Sequence, residues 1–449
     1  MQPNILFILV DGLRSDQCFG DVRTSNTPYI NSLISSGVYF NNAFSSADGT
    51  IISLNCLFNS KPQSVTGIRA KKTILLQDNH LETLRNSDYY ISGLIPKLTS
   101  LNPISDYFEN QTPEYDVEPN TETLSNGLTE KISKLIDSLA SKSPWFCYLH
   151  LYDLHPVKEG KEPSNIENFQ YKKFGNSLYE QTVSSIDHWL SKIFSNVNFE
   201  NTLLILTSDH GERLPFDEKN SSSFEPKLNS ITKLGKKFMP KSLQPSSGKL
   251  IGKFKQGIGN VKLNYSNKDL TNYQKRSREP YFTLSLYDEL LHIPLILKGL
   301  DLKTKLISKQ VSTLDIFPTI FEILKIPYIK TKYSNSLIPL INDENFIEKP
   351  LFLHTIPYEK ESSSDKIGIR TNNYKYFRNS RDPKQNVHLY NLINDPYEIK
   401  NVAKNNPEII SNMEELLHDF KNISSSSKPI LDQKEEQKIN EELKKLGYL

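Results

Sequence analysis

The length, composition and charge of the chain exclude several classes of protein. With 449 residues, of which 37% are hydrophobic and 24% charged, the chain is long enough for one extended α/β domain or two domains with a sizeable core. Its net charge of +2 indicates no particular partner, and none of its apolar runs approaches the roughly 20 residues that a membrane helix needs.

The amino terminus and the cysteines predict a cytoplasmic location. Residues 1–4 lead directly into an apolar run, without the basic segment and cleavage site of a secretory signal. Cys18, Cys56 and Cys147 show no CxxC spacing and fit reduced, structural thiols better than a disulfide framework. We therefore expect a cytoplasmic protein without a transmembrane segment.

The first predicted element is a strand over residues 4–10 that ends at Asp11. Its near-continuous apolar character is typical of a strand inside a parallel sheet with helices on both faces. Asp11 would then lie at the carboxyl edge of the sheet, where open α/β sheets bind ligands. The structural alternative is a simple Asp11-Gly12 turn.

The next predicted elements lead to Thr50. Residues 27–37 are expected to be a helix with Thr27 at its cap, and residues 38–44 a short strand. The apolar stretch 51–58 can be helical, which places Thr50 at or beside a helix amino terminus. Free N–H groups and the helix dipole favour bound phosphate or sulfate there, and also a developing alkoxide. The alternative is that Thr50 is only an N-cap.

The middle of the chain contains a third candidate for the site. A helix is predicted over residues 126–139, a strand over 145–152 and a further helix over 177–194. His150 lies inside this strand and is interpreted as a packed side chain. His155 lies beyond the strand end and is the better candidate for a functional site.

Asp209 and His210 follow a second apolar run, residues 203–206. Because this run matches the first strand, both carboxylates are expected on the same edge of the sheet. A carboxylate and a histidine delivered there together indicate a metal or phosphate-type site. The alternative is a turn in which Asp209 caps a following segment.

Residues 219–278 differ in composition from the rest of the chain. They contain 14 Lys and Arg but only two acidic residues, Glu225 and Asp269. Their Ser, Pro, Gly and Lys content and weak periodicity predict a mobile insertion. It could be a basic flap over an anionic substrate, an electrostatic contact for nucleic acid or lipid, or a solvated loop without a partner.

The remaining chain predicts a second, smaller subdomain. Residues 286–297 read as a helical turn that carries His292, followed by a strand, and residues 312–324 as an amphipathic helix. The last hundred residues alternate like antiparallel strands and end in a charged helix. We expect an α/β domain over residues 1–330 and an α+β subdomain over residues 331–449.

Five motifs follow one another in a characteristic order. They are Pro3 to Asp11, Thr27 to Leu33, Ser208-Asp209-His210-Gly211-Glu212, Leu286-Tyr287-Asp288-Glu289 with His292 to Ile296, and Leu389 to Pro396. Together they resemble the sulfatase family of the alkaline-phosphatase superfamily, over nearly the whole chain except residues 219–278. The resemblance implies an alkaline-phosphatase-like α/β fold, with a central, mostly parallel sheet flanked by helices and a smaller C-terminal subdomain.

The resemblance also implies a metal site and a nucleophile. Carried over by position, it makes Asp11, Asp209 and His210 ligands of one divalent cation, with Thr50 at the nucleophile position and also touching the metal. Oxygen ligands with one histidine suit Mg²⁺, Mn²⁺ or Ca²⁺, and Zn²⁺ is also compatible. Such a metal would lower the pKa of the hydroxyl and screen the anionic ester.

Two histidines would complete the implied site. His155 matches the family histidine that contacts the transferred group or the leaving oxygen, and His292 matches a position close to the site. Thr50 would attack phosphorus or sulfur in line, and His155 would help to expel the alcohol.

Departures from the family pattern indicate the subclass. Formylglycine sulfatases have Cys or Ser followed by a proline and an arginine, whereas residues 50–54 read Thr-Ile-Ile-Ser-Leu. Gly12 replaces the second Asp of the usual pair, and the lysine usual before Leu286 is missing, with Thr283 near that place. The site therefore resembles the threonine-dependent phosphotransferase and phosphodiesterase branch.

The sequence thus predicts a sulfatase-like, metal-dependent hydrolase or transferase of sulfate or phosphate esters. Its substrate would be a small-molecule, glycan-linked or lipid-linked anionic ester. One alternative is a weakened pseudoenzyme that binds an anionic partner. The other is a membrane-surface or nucleic-acid binder that acts through residues 219–278, with nucleic acid disfavoured because no aromatic-interleaved module is visible.

Overall fold

The protein is described by a computed structural model that covers most of the chain. It describes residues 2–67, 71–117, 121–158, 161–195, 197–213, 271–277, 285–355, 365–421 and 437–442. One compact unit comprises Met1–Glu212 and Leu284–Leu449, and a second comprises Arg213–Thr283. Apart from residues 271–277, the predicted insertion over 219–278 lies outside the described residues. The boundary expected between residues 330 and 331 stays a prediction.

The described chain alternates strands and helices through its first two thirds. The strands are β1 (Asn4–Val10), β2 (Val38–Phe40), β3 (Ala43–Phe44), β4 (Tyr90–Pro96), β5 (Glu114–Tyr115), β6 (Trp145–Leu151), β7 (Thr202–Thr207), β8 (His292–Ile293), β9 (Leu295–Lys298), β10 (Lys305–Ile307), β11 (Val311–Ser312), β12 (Leu351–His354), β13 (Lys366–Arg370), β14 (Tyr374–Asn379) and β15 (His388–Asn391). The helices are α1 (Pro28–Ser36), α2 (Thr50–Asn59), α3 (Gln63–Thr66), α4 (His80–Arg85), α5 (Asn102–Ser105), α6 (Leu128–Ser138), α7 (His155–Lys158), α8 (Leu178–Phe194), α9 (Asn272–Ser277), α10 (Asp288–Leu291), α11 (Ile316–Ile323), α12 (Ile338–Ile341) and α13 (Pro407–Lys421).

An eight-stranded sheet forms the centre of the first unit. Its strand order is β10-β2-β9-β7-β1-β6-β4-β5. Within the described sheet, β9 runs antiparallel to both of its neighbours, and the other pairs are parallel. The central strands β1, β6 and β7 are buried along their whole length, which explains their continuous apolar sequences. The predicted α/β fold class is confirmed.

Two predicted strands are each divided between sheets. The strand expected over residues 38–44 is split into β2, in the large sheet, and β3, in a three-stranded sheet of order β11-β3-β8. The strand expected after His292 is split in the same way into β8 and β9, on either side of Pro294. Proline has no N–H with which to continue a ladder, so the chain changes sheets at that residue.

The C-terminal strands form a separate antiparallel sheet, as predicted. Its order is β12-β13-β14-β15, and helix α13 packs on one face through Met413 and Leu417, which join a core cluster with residues of these strands. The sheet also contacts the loop before helix α2 in the same unit, because the His354 N–H donates to the Ser46 carbonyl oxygen at 3.0 Å. This contact lies four residues before helix α2.

An aromatic cluster holds helix α2 against the central sheet. Phe58 of this helix lies 5.4 Å from the ring of Tyr148 and 5.6 Å from that of Phe317, and Phe7 stacks on Phe317 at 5.6 Å. These contacts fix the direction in which the amino terminus of α2 points. Among the described helices, none combines the length and the apolar character that crossing a membrane requires.

Candidate active site

Two adjacent parallel strands deliver Asp11 and Asp209 to the same edge of the sheet. Strands β1 and β7 pair in register, with Leu9 opposite Thr207, so each aspartate lies two residues beyond a matched position. The turns are joined by the Gly12 N–H, which donates to Asp209 Oδ1 at 3.2 Å. Both carboxylates are buried. Strand pairing, not local sequence, therefore brings them together.

Thr50 is the first residue of helix α2 and lies against these groups. Its hydroxyl donates to Asp11 Oδ2 at 3.1 Å, and Oγ1 lies 3.2 Å from His210 Nε2. Gly49 occupies the N-cap position in an extended conformation, so the reading of Thr50 as an N-cap is wrong. The hydroxyl is turned toward the acidic group instead of back onto the helix.

The His210 ring is oriented by its own backbone neighbour. Nδ1 lies 2.6 Å from the Gly211 carbonyl oxygen and donates to it, so in the neutral imidazole Nε2 is the nitrogen with a lone pair. Nε2 lies 3.4 Å from Asp209 Oδ2 and 3.9 Å from Asp11 Oδ1. A carbonyl that fixes the tautomer in this way is typical of a metal-ligating histidine.

The Asp11, Asp209 and His210 side chains fit a divalent cation. One ligand atom from each lies within 4.8 Å of the other two, and all three residues are buried. Asp209 Oδ2 is buried and accepts no hydrogen bond in the described part of the protein. A buried carboxylate oxygen without a donor is costly, and a hard cation would satisfy it.

The pKa values of the two carboxylates shift in opposite directions because their neighbours differ. Burial alone would raise the pKa of Asp11, but the hydrogen bond from His150 and the charges of His210 and His150 hold it well below its usual range. For Asp209, burial and the adjacent Asp11 charge raise the pKa. Burial lowers the pKa of His210, but the carboxylates of Asp209, Asp11 and Glu212 outweigh this and raise it. The site thus concentrates negative charge.

His155 begins helix α7, directly beyond strand β6. It is buried, and its ring stacks on that of Tyr152 with centroids 4.1 Å apart. Burial and the charge of Lys158 lower the pKa of His155 to about 3, although the Asp11 carboxylate acts in the opposite direction. The imidazole is therefore neutral near neutral pH and is sensitive to charge at the Asp11 end of the site.

His292 has its described contacts outside the Asp11 group. Nε2 donates to the Asn41 carbonyl oxygen at 2.6 Å, and the ring stacks on Phe44 at 4.9 Å. His292 lies where strand β8 pairs with β3, and both of these contacts are structural. A role for His292 in binding substrate stays a prediction.

The sequence interpretation missed the role of His150. Its Nε2 lies 3.3 Å from Asp11 Oδ2, and its Nδ1 lies 3.2 Å from the Tyr148 hydroxyl, which donates to it. The interpretation as a packed side chain is correct about burial but overlooks this contact. A polar residue near the carboxyl end of an otherwise apolar strand was the available signal.

Two cations near the site were also missed. Arg14 is buried, and its Nη2 lies 2.6 Å from Asp16 Oδ2. Its Nη1 donates to the Glu212 carbonyl oxygen at 3.2 Å. Lys158 Nζ lies 3.3 Å from Glu212 Oε2. Their positions follow from the packing of α7 and of the segment after β1 against the segment after β7, which no local pattern predicts.

Two family models match the chain. One described as Sulfatase matches residues 3–326, and one described as N-sulphoglucosamine sulphohydrolase, C-terminal, matches residues 281–424. The chain is also similar to Arylsulfatase K of Canis lupus familiaris, with 25% identity over 374 residues, 79% of this chain and 63% of that protein. The matched part spans less than two thirds of the length of the first curated relatives, at 34%, 63% and 55%.

Solved structures share the fold at low sequence identity. A 2-O GAG sulfatase has a TM-score of 0.65 at 17% identity, with 97% of this chain and 96% of that chain covered. The phosphonate monoester hydrolase of Agrobacterium radiobacter has a TM-score of 0.62 at 14% identity, with 94% and 96% covered. These similarities show a large, mostly parallel sheet with flanking helices and a C-terminal antiparallel sheet.

Proposed function

This chain belongs to the sulfatase family of the alkaline-phosphatase superfamily, and we propose that it is a metal-dependent hydrolase or transferase of phosphate or sulfate esters with Thr50 as its nucleophile. The observation that carries this proposal is the position of the Thr50 hydroxyl. It lies within 3.2 Å of both Asp11 and His210, at the amino terminus of a helix. A nucleophile beside anion-binding N–H groups suits attack on an anionic ester.

The cation would be held by Asp11, Asp209 and His210, with Thr50 beside it. When bound, a divalent metal lowers the pKa of a hydroxyl and neutralises charge on the ester. Carboxylate oxygens with one imidazole suit Mn²⁺, Mg²⁺ or Ca²⁺, and Zn²⁺ also accepts this set. The buried Asp209 oxygen that accepts no hydrogen bond in the described structure supports this assignment.

The proposed reaction uses Thr50, Asp11 and His155. The Thr50 hydroxyl donates to Asp11 Oδ2, which orients Oγ1 for attack on phosphorus or sulfur, and the hydroxyl proton leaves to water as the new bond forms. The bond to the leaving alcohol breaks, and His155 donates a proton to the departing oxygen. A bound anion would favour the imidazolium form of His155, because a nearby negative charge raises the pKa of an imidazole. Water, or an acceptor alcohol, then attacks the Thr50 ester and releases the group.

The identity of residue 50 favours phosphoryl transfer over formylglycine chemistry. Threonine is not a precursor of formylglycine, and residues 51–54 contain neither the proline nor the arginine of the formylglycine motif. Phosphoryl transfer depends mainly on positioning and on stabilisation of charge, which a metal and a fixed hydroxyl supply. The family membership keeps sulfate esters as the second substrate class. The cytoplasmic location stays a prediction.

The test compares paired aryl phosphate, phosphodiester and sulfate substrates with Mn²⁺, Mg²⁺, Ca²⁺ and Zn²⁺. Thr50→Ala is expected to lower kcat at least about 10³-fold, because it removes the attacking oxygen, while it leaves metal binding measurable. Thr50→Ser should retain part of the activity. Thr83→Ala, which removes a hydroxyl from helix α4, is the matched control, and its kcat should equal that of the wild type.

The alternatives predict different results in the same experiment. A pseudoenzyme would bind metal and inorganic phosphate but turn over none of the substrates. Turnover that survives Thr50→Ala would overturn the nucleophile assignment. Binding of nucleic acid or anionic vesicles that is lost on deletion of residues 219–278 would instead support the surface-binding alternative.

A further inference from the structure

A buried ion pair lies beside the site and has no part in the reaction described above. Lys158 Nζ is 3.3 Å from Glu212 Oε2, and the two side chains are only 9% and 6% exposed. Lys158 ends helix α7, which begins with His155, and Glu212 follows His210 by two residues. Both partners are thus carried by segments that already supply residues to the site.

Glu212 fills the space above Gly12, where the family has a second aspartate. A Cβ atom on Gly12 would lie 3.5 Å from Glu212 Cβ and 3.8 Å from Glu212 Oε2. Arg14 holds the Glu212 backbone in place through its hydrogen bond to the carbonyl oxygen at 3.2 Å. A carboxylate is therefore present near position 12, but it is supplied by residue 212 and is paired with a lysine.

Lys158 lies on the same side of helix α7 as His155. Residues three apart on a helical turn share one side, which places Lys158 with His155. Its Nζ lies 3.3 Å from the Glu212 carboxylate, and that carboxylate lies 3.8 Å from the position of a Cβ atom on Gly12. The ammonium group is thus held close to the end of strand β1, where Asp11 is located.

A buried ion pair is a poor source of stability, because desolvation offsets much of the attraction. A role in binding is a better explanation for a buried pair at this position. An ammonium group has three N–H donors, so it can contact Glu212 and an ester oxygen at the same time. The chain lacks both the arginine after residue 50 and the lysine before residue 286 that other family members use as cations.

We propose that Lys158 binds an anionic oxygen of the phosphate or sulfate ester and that Glu212 positions Lys158 for this contact. The inference rests on the proposed function and adds to it the cation that the sequence pattern lacks. Lys158 contacts the substrate, whereas Glu212 acts through Lys158.

The test measures the Kd of inorganic phosphate and of inorganic sulfate for the Mn²⁺-loaded protein by calorimetry. Lys158→Gln and the double variant Lys158→Gln/Glu212→Gln are expected to raise the Kd of the tighter-bound anion about 10- to 100-fold. The reason is that each variant loses a charge-assisted hydrogen bond to the anion. The double variant removes both charges of this pair together, so it separates binding from the cost of leaving either partner alone. Lys158→Arg should restore most of the affinity, and the Kd of Mn²⁺ should change little in all variants.

Kinetics and a control lysine make the result specific. Lys158→Gln should raise KM more than it lowers kcat, and Glu212→Gln should give a smaller change in the same direction. Lys131→Gln breaks a more exposed pair with Glu122, at 2.6 Å, and should leave anion binding unchanged.

Two results would overturn the inference. If the double variant binds both anions as tightly as the wild type and has an unchanged KM, the pair is structural and the proposed function stands without it. If the Mn²⁺-loaded wild type neither binds these anions nor turns over any ester, the proposed function fails as well.

Discussion

A single buried side chain, His150, orients a carboxylate of the candidate metal site. Its Nε2–H points to Asp11 Oδ2, and the hydroxyl of Thr50 points to the same oxygen. These two donors leave Asp11 Oδ1 facing His210 Nε2, 3.9 Å away. Second-sphere donors of this kind orient a ligating carboxylate and keep it ionised.

We expect His150→Phe to weaken the affinity for Mn²⁺ by about 10- to 100-fold, which is the usual cost of removing a second-sphere partner. The physical reason is that Asp11 loses the hydrogen bond that lowers its pKa while its burial remains. Titration calorimetry on the wild type and the variant provides the measurement. His188→Phe, on the exposed face of helix α8, is the control. An unchanged Kd in a folded His150→Phe protein would contradict the role assigned to His150.

At the scale of elements, helix α1 is capped by another helix. The predicted cap residue, Thr27, makes no side-chain cap hydrogen bond. Instead Asp187 of α8 accepts the N–H groups of Tyr29 and Ile30, at 3.0 and 2.7 Å. The carboxylate lies at the positive end of the α1 dipole, yet burial raises its pKa to about 6. The two helices are therefore joined by a group that titrates.

Asp187→Asn should change how stability depends on pH. The folded state holds the Asp187 proton up to about pH 6, whereas an unfolded aspartate releases it near 3.9. The folded state thus binds more protons in this window, and the free energy of unfolding of the wild type should fall, relative to the variant, as pH rises from about 4 to about 6. Urea unfolding at several pH values tests this. Asp137→Asn, an exposed change on α6, should show no such difference, and a flat wild-type-minus-variant difference would refute the prediction.

At the scale of the whole first unit, buried charges join the C-terminal sheet to the chain that precedes His292. Lys375 of β14 is 0% exposed and contacts Asp288 at 2.6 Å and Glu398 at 2.7 Å. Arg370 of β13 lies 3.1 Å from Asp288 and also stacks on Phe44 at 3.6 Å. Burial would raise the pKa of Asp288, but the two cations hold it well below its usual range. The network fixes helix α10 against the C-terminal sheet.

Lys375→Met is expected to lower the free energy of unfolding by about 3–5 kcal/mol, because it leaves two buried carboxylates with too little positive charge. Denaturant unfolding at neutral pH measures the loss. Lys384→Met removes an exposed lysine from the turn between β14 and β15 and should change stability by less than about 0.5 kcal/mol. A loss from Lys375→Met as small as that of the control would show that the network contributes little.

The amino-acid sequence by itself determined the central strands β1, β6 and β7, the order of the motifs and the strand ends at which chemistry is concentrated. Residues 4–10 form a continuous apolar run because both faces of the strand are buried. Such a run lies within a few consecutive residues, so it can be recognised in the sequence. The sequence also identifies four candidate site residues, because each lies at the boundary of a predicted element: Asp11, Thr50, Asp209 and His210.

Only the tertiary structure decided which distant residues meet at those boundaries. Strand β1 lies between β6 and β7, so Asp11 contacts His150, 139 positions away, and is held beside Asp209. The cap on α1 comes from Asp187, and the carboxylate above Gly12 comes from Glu212. Such contacts depend on sheet order and helix packing. A cap or an ion pair can form between any two residues that the fold brings together, however far apart they lie in the sequence. No local period encodes them, and they complete the site that the sequence only outlined.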